Sequence, residues 1–222
     1  MTKIYTLLIT VLALSASLAH SQELDNWYSI EIIIFSNEES AAVQAETWPL
    51  LPEPAQRDAV NLQPAAVDAT PYSLMAAEKL TLTTAKAQLQ RSGQYRTLLH
   101  TGWIQPVQRT QNPTPVRIVA GNILDNGRYE LEGYLGIGRG QYLHVRPDLY
   151  LNRILSPAQA NALEQARSAE PVASAAELNT LPFSLQEVLT VHMDQPRRMR
   201  SGEVHYIDHP LFGMVVSINP LQ

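Results

Sequence analysis

Cysteine is absent from all 222 residues. That excludes disulfides and thiol chemistry, and it removes the residue on which a bacterial lipoprotein carries its lipid. Long apolar runs are missing beyond the N-terminus, so no later stretch is long and apolar enough to cross a membrane. Basic residues are outnumbered: 16 Lys and Arg against 21 Asp and Glu leave a formal net charge of −5, which argues against nucleic acid as the main partner. No Gly-x-Ser-x-Gly elbow occurs, and Ser201, His205 and Asp208 lie on one local segment without evident convergence into a catalytic set. Gly136-x-Gly138-x-Gly140 falls between strands rather than before a helix, so it reads as a turn and not as a phosphate-binding loop. The reading therefore assigns no catalytic residue and no cofactor.

The chain opens with Lys3, an apolar run from Ile4 to Leu14, and small residues from Ser15 to Gln22. This pattern predicts a secretory signal peptide over 1–21, too short for a membrane span, and a soluble exported chain after cleavage. Without Lys3 the mature chain has 15 basic and 21 acidic residues, a balance of −6. Residues 22–222 are enough for one sizeable core and are expected to form a single domain.

Trp27-Tyr28-Ser29-Ile30-Glu31-Ile32-Ile33-Ile34-Phe35 is a near-continuous β-branched and aromatic run, the pattern of a central strand buried on both faces. From 36 to 71 the chain turns rich in Pro, Glu, Ala and Gln, and an extended surface segment is expected there, with Trp48, Leu50 and Leu51 as anchors. Leu82, Ala85 and Leu89 recur at helical spacing and Gly93 stands where a C-terminal cap belongs. Tyr95 to Ile104 returns as a strand, and 105–115 is a second proline-rich loop. Val116 to Ala120 and Tyr129 to Ile137 read as strands around the Asp125-Asn126-Gly127 turn. Gln141 to Leu151 extends the meander, with Pro147 marking an edge or bulge. Ser156-Pro157 starts a second helix, 170–182 is an Ala-rich insert, and Leu185 to His192 is a further strand or connecting turn.

Arg197 to Pro220 reads as a terminal hairpin reversing at Asp208-His209-Pro210. Period-two alternation puts Met199, Ser201, Glu203, His205 and Ile207 on one face of its first strand and Arg198, Arg200, Gly202, Val204 and Tyr206 on the other. The fold class expected is α+β: mainly antiparallel sheet of six or more strands, one principal packing helix, a peripheral helix and a C-terminal β-hairpin.

Several of these segments carry a resemblance. Trp27-Tyr28 opening an apolar strand, Tyr95-Arg96-x-Leu98-Leu99-His100-x-x-Trp103-x-Gln105-Pro106, Gly140-x-Tyr142-Leu143-His144-Val145, and above all Arg197-Arg198-Met199-Arg200-Ser201-Gly202-Glu203-x-His205-Tyr206-x-Asp208-His209-Pro210 resemble the CsiV family of periplasmic peptidoglycan-binding proteins. The resemblance implies a non-enzymatic periplasmic protein. It would bind murein and support synthesis by a class A penicillin-binding protein together with its outer-membrane lipoprotein activator. It carries over no catalytic residues.

Murein presents glycan faces, amides and peptide carboxylates, so a binding site calls for aromatic plates and bidentate guanidinium donors. Arg197, Arg198 and Arg200 with Tyr206 on the hairpin, and Trp103, Tyr134, Arg139, Tyr142 and Arg146 on neighbouring strands, are the candidates. The alternative is that the aromatics fill the sheets and the arginines pair with Glu130, Glu132 or Glu203. Glu203, His205, Asp208 and His209 form a polar group at the hairpin turn. Imidazole and carboxylate are zinc ligands, but His205 and His209 are not expected to converge on a strand, so no metal is assigned. Glu130 and Glu132 share a strand face as a glycan-cleaving pair would, although solvated edge charges explain them as well. Two readings from other classes remain: a metal-assisted murein hydrolase centred on Glu203, His205 and His209, and a protein-interaction module without glycan affinity.

Overall fold

The computed structural model describes residues 26–39, 51, 54–64, 70–161 and 188–221. The elements in chain order are β1 (Trp27–Asn37), β2 (Ser73–Leu74), a 3-10 turn (Ala77–Lys79), α1 (Thr83–Arg91), β3 (Tyr95–Pro106), β4 (Val116–Ile123), β5 (Tyr129–Arg139), β6 (Leu143–Ile154), β7 (Val188–Met193), β8 (Arg197–Met199), β9 (Val204–His209) and β10 (Phe212–Pro220). The result is mainly antiparallel sheet with little helix, as the pattern predicts.

The single sheet expected from the strand pattern is two. One has the order β2-β3-β1-β10-β9; the other runs β4-β5-β6-β7, with β8 also on β6. Period-two alternation says which residues share a strand face. It carries no information about which sheet a strand joins, because both sheets bury one face in the same core.

β1 is the centre of the first sheet, and its run of apolar residues serves two interfaces. Ile30, Ile32 and Ile34 join Leu131, Leu135 and Val145 of the second sheet in the main core, whereas Ile33 and Phe35 point the other way and pack with Leu82 under α1. All five of these β1 side chains are buried, and full burial of each is worth about 2 kcal/mol of transfer free energy. Ala85 and Leu89 supply the helix side of that interface, as their spacing predicts. Gly93 follows the helix at φ 68°, the left-handed conformation a terminal glycine takes without penalty.

The start of α1 has no side-chain cap of its own. Glu31 of β1 takes that place from across the interface. Its carboxylate accepts the Thr81 N–H and hydroxyl at 2.8 and 2.7 Å and the Leu82 N–H at 2.8 Å, and meets His100 Nε2 at 2.9 Å. Glu31 is 4% exposed. Burial pushes its pKa up, but the hydrogen bonds from Thr81, His100 and Leu82 outweigh that, and the pKa lies below the ordinary carboxylate value.

Pro147 sits within β6, opposite Leu135 of β5. On the other edge of β6, β8 covers Leu143 to Val145 and β7 covers Leu149 to Ile154. The proline falls in the gap between them, which suits a residue without an N–H. The segment from 185 is a strand, β7, where it enters the described residues. Ser156 caps a helical turn at 157–161, its hydroxyl accepting the Gln159 N–H at 3.3 Å. The rest of that helix, the 170–182 insert, the 1–21 signal peptide and the Trp48 and Leu50 anchors lie outside the described residues.

The terminal hairpin is corrected in one respect. β9 and β10 pair as expected and reverse after His209, which pairs with Phe212. The strand before them is not continuous. Gly202 adopts φ 80°, its N–H is donated to Ile218 O at 2.9 Å, and the chain changes sheets there. Met199 pairs with Leu143 in the second sheet, while Val204 pairs with Ser217 in the first. Arg198 and Arg200 therefore do not share a face with Tyr206.

Candidate functional site

The crossover at Gly202 brings the arginine run to one end of the sandwich, where the start of β1, the end of β5 and the start of β6 meet. A pocket of about 460 Å³ opens there, lined by Tyr28, Arg109, Arg139, Gly140, Gln141, Tyr142, Leu143, Met199, Arg200 and Ser201. Met199 and Leu143 are a buried apolar floor paired across the strands, and three guanidinium-bearing side chains surround it.

Each arginine has a local reason for its place. Arg139 ends β5; its guanidinium donates to the Tyr28 hydroxyl at 3.2 Å and to Asn26 Oδ1, tying the second sheet to the first strand. Arg109 comes from the proline-rich loop after β3, which is held on β5 by the Arg139 N–H donating to Gln108 O at 3.1 Å. The same loop passes so close to Gly138 that a Cβ there would stand 2.5 Å from Thr110 O, so only glycine admits it. Arg200 follows β8, and its N–H donates to Glu203 Oε2 at 3.1 Å.

Among the described residues no carboxylate lines this pocket. Glu203 is ion-paired with Arg200 at 4.0 Å and lies closer to His205 Nε2, at 2.8 Å. The His205 hydrogen bond, then the Arg200 N–H, holds the Glu203 pKa below its ordinary value. Beside the pocket, Arg198 lies over the Tyr142 ring at 4.6 Å, a cation–π contact, and Arg197 donates to His205 Nδ1 at 3.2 Å.

The other candidate residues disperse. Trp103 is 0% exposed and donates its indole N–H to Gln105 Oε1 at 2.8 Å. It is a core residue, and a polymer cannot reach it, which removes it from the candidate binding set. Tyr206 sits at the free edge of the first sheet, 46% exposed, stacked on Phe35 at 6.0 Å with its hydroxyl donating to Asp208 at 2.6 Å. Burial and that bond raise its pKa. Tyr134 accepts the Arg57 N–H at 3.1 Å and Arg146 stands opposite Gly136 on β6; neither lines the pocket. Arg139 and Arg200 do, with Arg198 alongside. Sequence reasoning misses Arg109 and Tyr28, one hidden in a loop with no pattern of its own and the other in a strand that reads as uniformly buried.

The hairpin histidines do not meet. His205 is taken by Glu203 and Arg197, and His209 accepts the Leu211 N–H at 3.3 Å and packs on Phe212. They stand four residue steps apart along the strand, about 13 Å. Among the described residues no group of three or more metal-ligating side chains gathers. Asp208 serves Tyr206, so Ser201, His205 and Asp208 make no relay. Glu130 is ion-paired with Arg96 and accepts the Asn122 N–H, and Glu132 is ion-paired with Arg128 at 2.8 Å and accepts the Asn152 amide at 2.7 Å.

The chemistry of a pocket lined by guanidinium groups over a small apolar floor suits an anion. A family model described as "Peptidoglycan-binding protein, CsiV" matches residues 3–221, and the chain belongs to that family. No match was found among curated proteins or solved structures.

Proposed function

We propose that this protein binds peptidoglycan in the periplasm without turning it over, and that it supports wall synthesis by a class A penicillin-binding protein and the lipoprotein activator of that enzyme. The observation that carries the reading is the arginine pocket in a chain of a peptidoglycan-binding family. Murein is polyanionic through its stem peptides, and guanidinium groups are the side chains best matched to carboxylates. The absence of converged acid, base and nucleophile among the described residues fits recognition rather than cleavage.

The test uses the mature chain and isolated sacculi, with and without chelator, measuring both pelleted protein and soluble muropeptides. Binding without release, indifferent to chelator, is expected. Chelator-sensitive release would identify a hydrolase instead. Adding the protein to a class A enzyme with its activator should raise glycan or cross-link formation, and unchanged synthesis would remove the regulatory half of the reading.

A further inference from the structure

We infer that a second, smaller pocket, on the outer face of the second sheet, binds a neutral saccharide unit through hydrogen bonds, so that the glycan of murein is read there and not in the arginine pocket. This rests on the proposal that the protein binds murein, and adds a site for one part of the polymer.

The pocket, of about 200 Å³, is lined by Pro54, Gln56, Arg117, Arg128, Glu132 and Tyr134. Arg117 of β4 stands opposite Tyr134 of β5, and Glu132 is two residues from Tyr134. The three therefore share the face turned away from Leu131 and Leu135 in the core. The segment from 54 to 60 forms the outer wall and is pinned to the sheet. The Arg57 N–H donates to the Tyr134 hydroxyl at 3.1 Å, and the Arg57 guanidinium meets Asp148 at 3.0 Å. Val60 donates to Pro115 O and accepts from the Arg117 N–H, both at 2.9 Å.

The centre of the site is the ion pair of Arg128 and Glu132. Arg128 Nε donates to Glu132 Oε1 at 2.8 Å, and Asn152, 0% exposed, donates to the same oxygen at 2.7 Å. The Thr190 hydroxyl in turn holds Asn152, donating to its Oδ1 at 2.8 Å. The pair is thus fixed in place and carries no net charge, but its hydrogen bonding is incomplete. Arg128 Nη2 is buried without a hydrogen-bond partner, and Glu132 Oε2 accepts no hydrogen bond among the described residues. A buried guanidinium N–H without an acceptor is costly.

That combination selects the ligand. A simple anion would complete Arg128 but be repelled by Glu132, and a simple cation the reverse. A sugar hydroxyl both donates and accepts, so hydroxyls answer both needs without bringing charge. The exposed Gln56 amide offers the same two functions to an acetamido group, and the Tyr134 hydroxyl, already an acceptor for Arg57, keeps its own proton to give. Pro54 and the Tyr134 ring supply apolar surface for the C–H face of a pyranose. Tyr134 precedes Arg139 by five residues on β5, about 17 Å, so one stretch of polymer can reach both pockets.

The experiment titrates the mature chain with diacetylchitobiose, a neutral disaccharide without peptide, and follows backbone amide shifts by NMR; pelleting with sacculi is measured on the same preparation. Expected are saturable shifts at Arg117, Arg128, Glu132 and Tyr134 and none at Arg109 or Arg200, with an affinity that salt leaves unchanged. Acetate, the anion control, should not displace the disaccharide. Glu132→Gln should lose about tenfold in affinity for it. Should that variant fail to fold, the double variant Gln56→Ala, Arg117→Ala, changed only at exposed positions, should still lose about threefold. No shifts in this pocket, while sacculi still pellet the protein, would overturn the inference and leave murein binding standing. Shifts confined to the surroundings of Arg109 and Arg200 would overturn it by placing the sugar in the arginine pocket, and displacement by acetate would overturn it by making this an anion site. Disaccharide bound here by a protein that sacculi do not pellet would uphold the saccharide site and sink the proposed function.

Discussion

Two polar regions of this protein handle charge in opposite ways. Around β1 and β3, Glu31 is enclosed by Thr81, Leu82 and His100, and Glu130, 8% exposed, is met by Arg96 and Asn122. At the end of the sandwich, Arg109, Arg139 and Arg200 surround an open pocket with no carboxylate among the described residues that line it. The first arrangement joins helix to sheet and sheet to sheet, and its removal should cost stability. The second keeps the Arg109 and Arg200 side chains exposed at the surface, where they contribute little to folding. Polar residues that complete one another within the chain are structural here, Arg139 with Tyr28 and Asn26 among them, and the exposed Arg109 and Arg200 are the side chains we propose for binding.

The largest effect that would break this contrast is on the closed side. Glu31→Ala leaves the Thr81 and Leu82 N–H groups and His100 without their acceptor, and should lower stability by about 3 kcal/mol. Urea unfolding measures it, and sacculus binding by the folded fraction should stay unchanged. Arg96→Ala leaves Glu130 partly enclosed without its cation. Arg96 itself is half exposed, so solvent screens the pair and a loss of about 1 kcal/mol is expected, read as a fall in Tm.

The pH dependence sharpens the same point. Because folding depresses the Glu31 pKa, its stabilisation is present above the ordinary carboxylate range and is lost as pH falls through the depressed folded value. Wild type should therefore lose stability on acidification more steeply than Glu31→Gln, and parallel acid limbs would show that Glu31 is not the titrating group. The smallest effect is expected from Glu203→Gln. It removes the carboxylate 4.0 Å from Arg200 and should tighten murein binding by less than threefold, most visibly at low salt.

Much of the fold is legible in the sequence alone. The run from Trp27 to Phe35 announces a doubly buried strand, Leu82, Ala85 and Leu89 announce the helix, and the turns at Gly127 and Pro210 fall where their residues require them. What is not legible is the partition into two sheets. Met199 and Val204 belong to different sheets because Gly202 turns at positive φ, and no periodicity reports that. The site is readable in part, since an arginine cluster in an acidic chain is conspicuous. Trp103 misleads because an aromatic residue suits a sugar platform and a core equally well, and only burial separates the two. Arg109 has no pattern of its own; the glycine at 138 that lets its loop pass is the nearest thing to a signal, and it is interpretable only once the loop is seen.

The most direct test of the contrast is sedimentation of Arg109→Ala, Arg200→Ala with sacculi, beside Arg96→Ala and wild type, with Tm measured on the same samples. The pocket variant should lose at least tenfold in affinity at an unchanged Tm, and Arg96→Ala should keep its affinity at a lowered Tm. Full affinity in the folded pocket variant would contradict the assignment of the open arginines to binding.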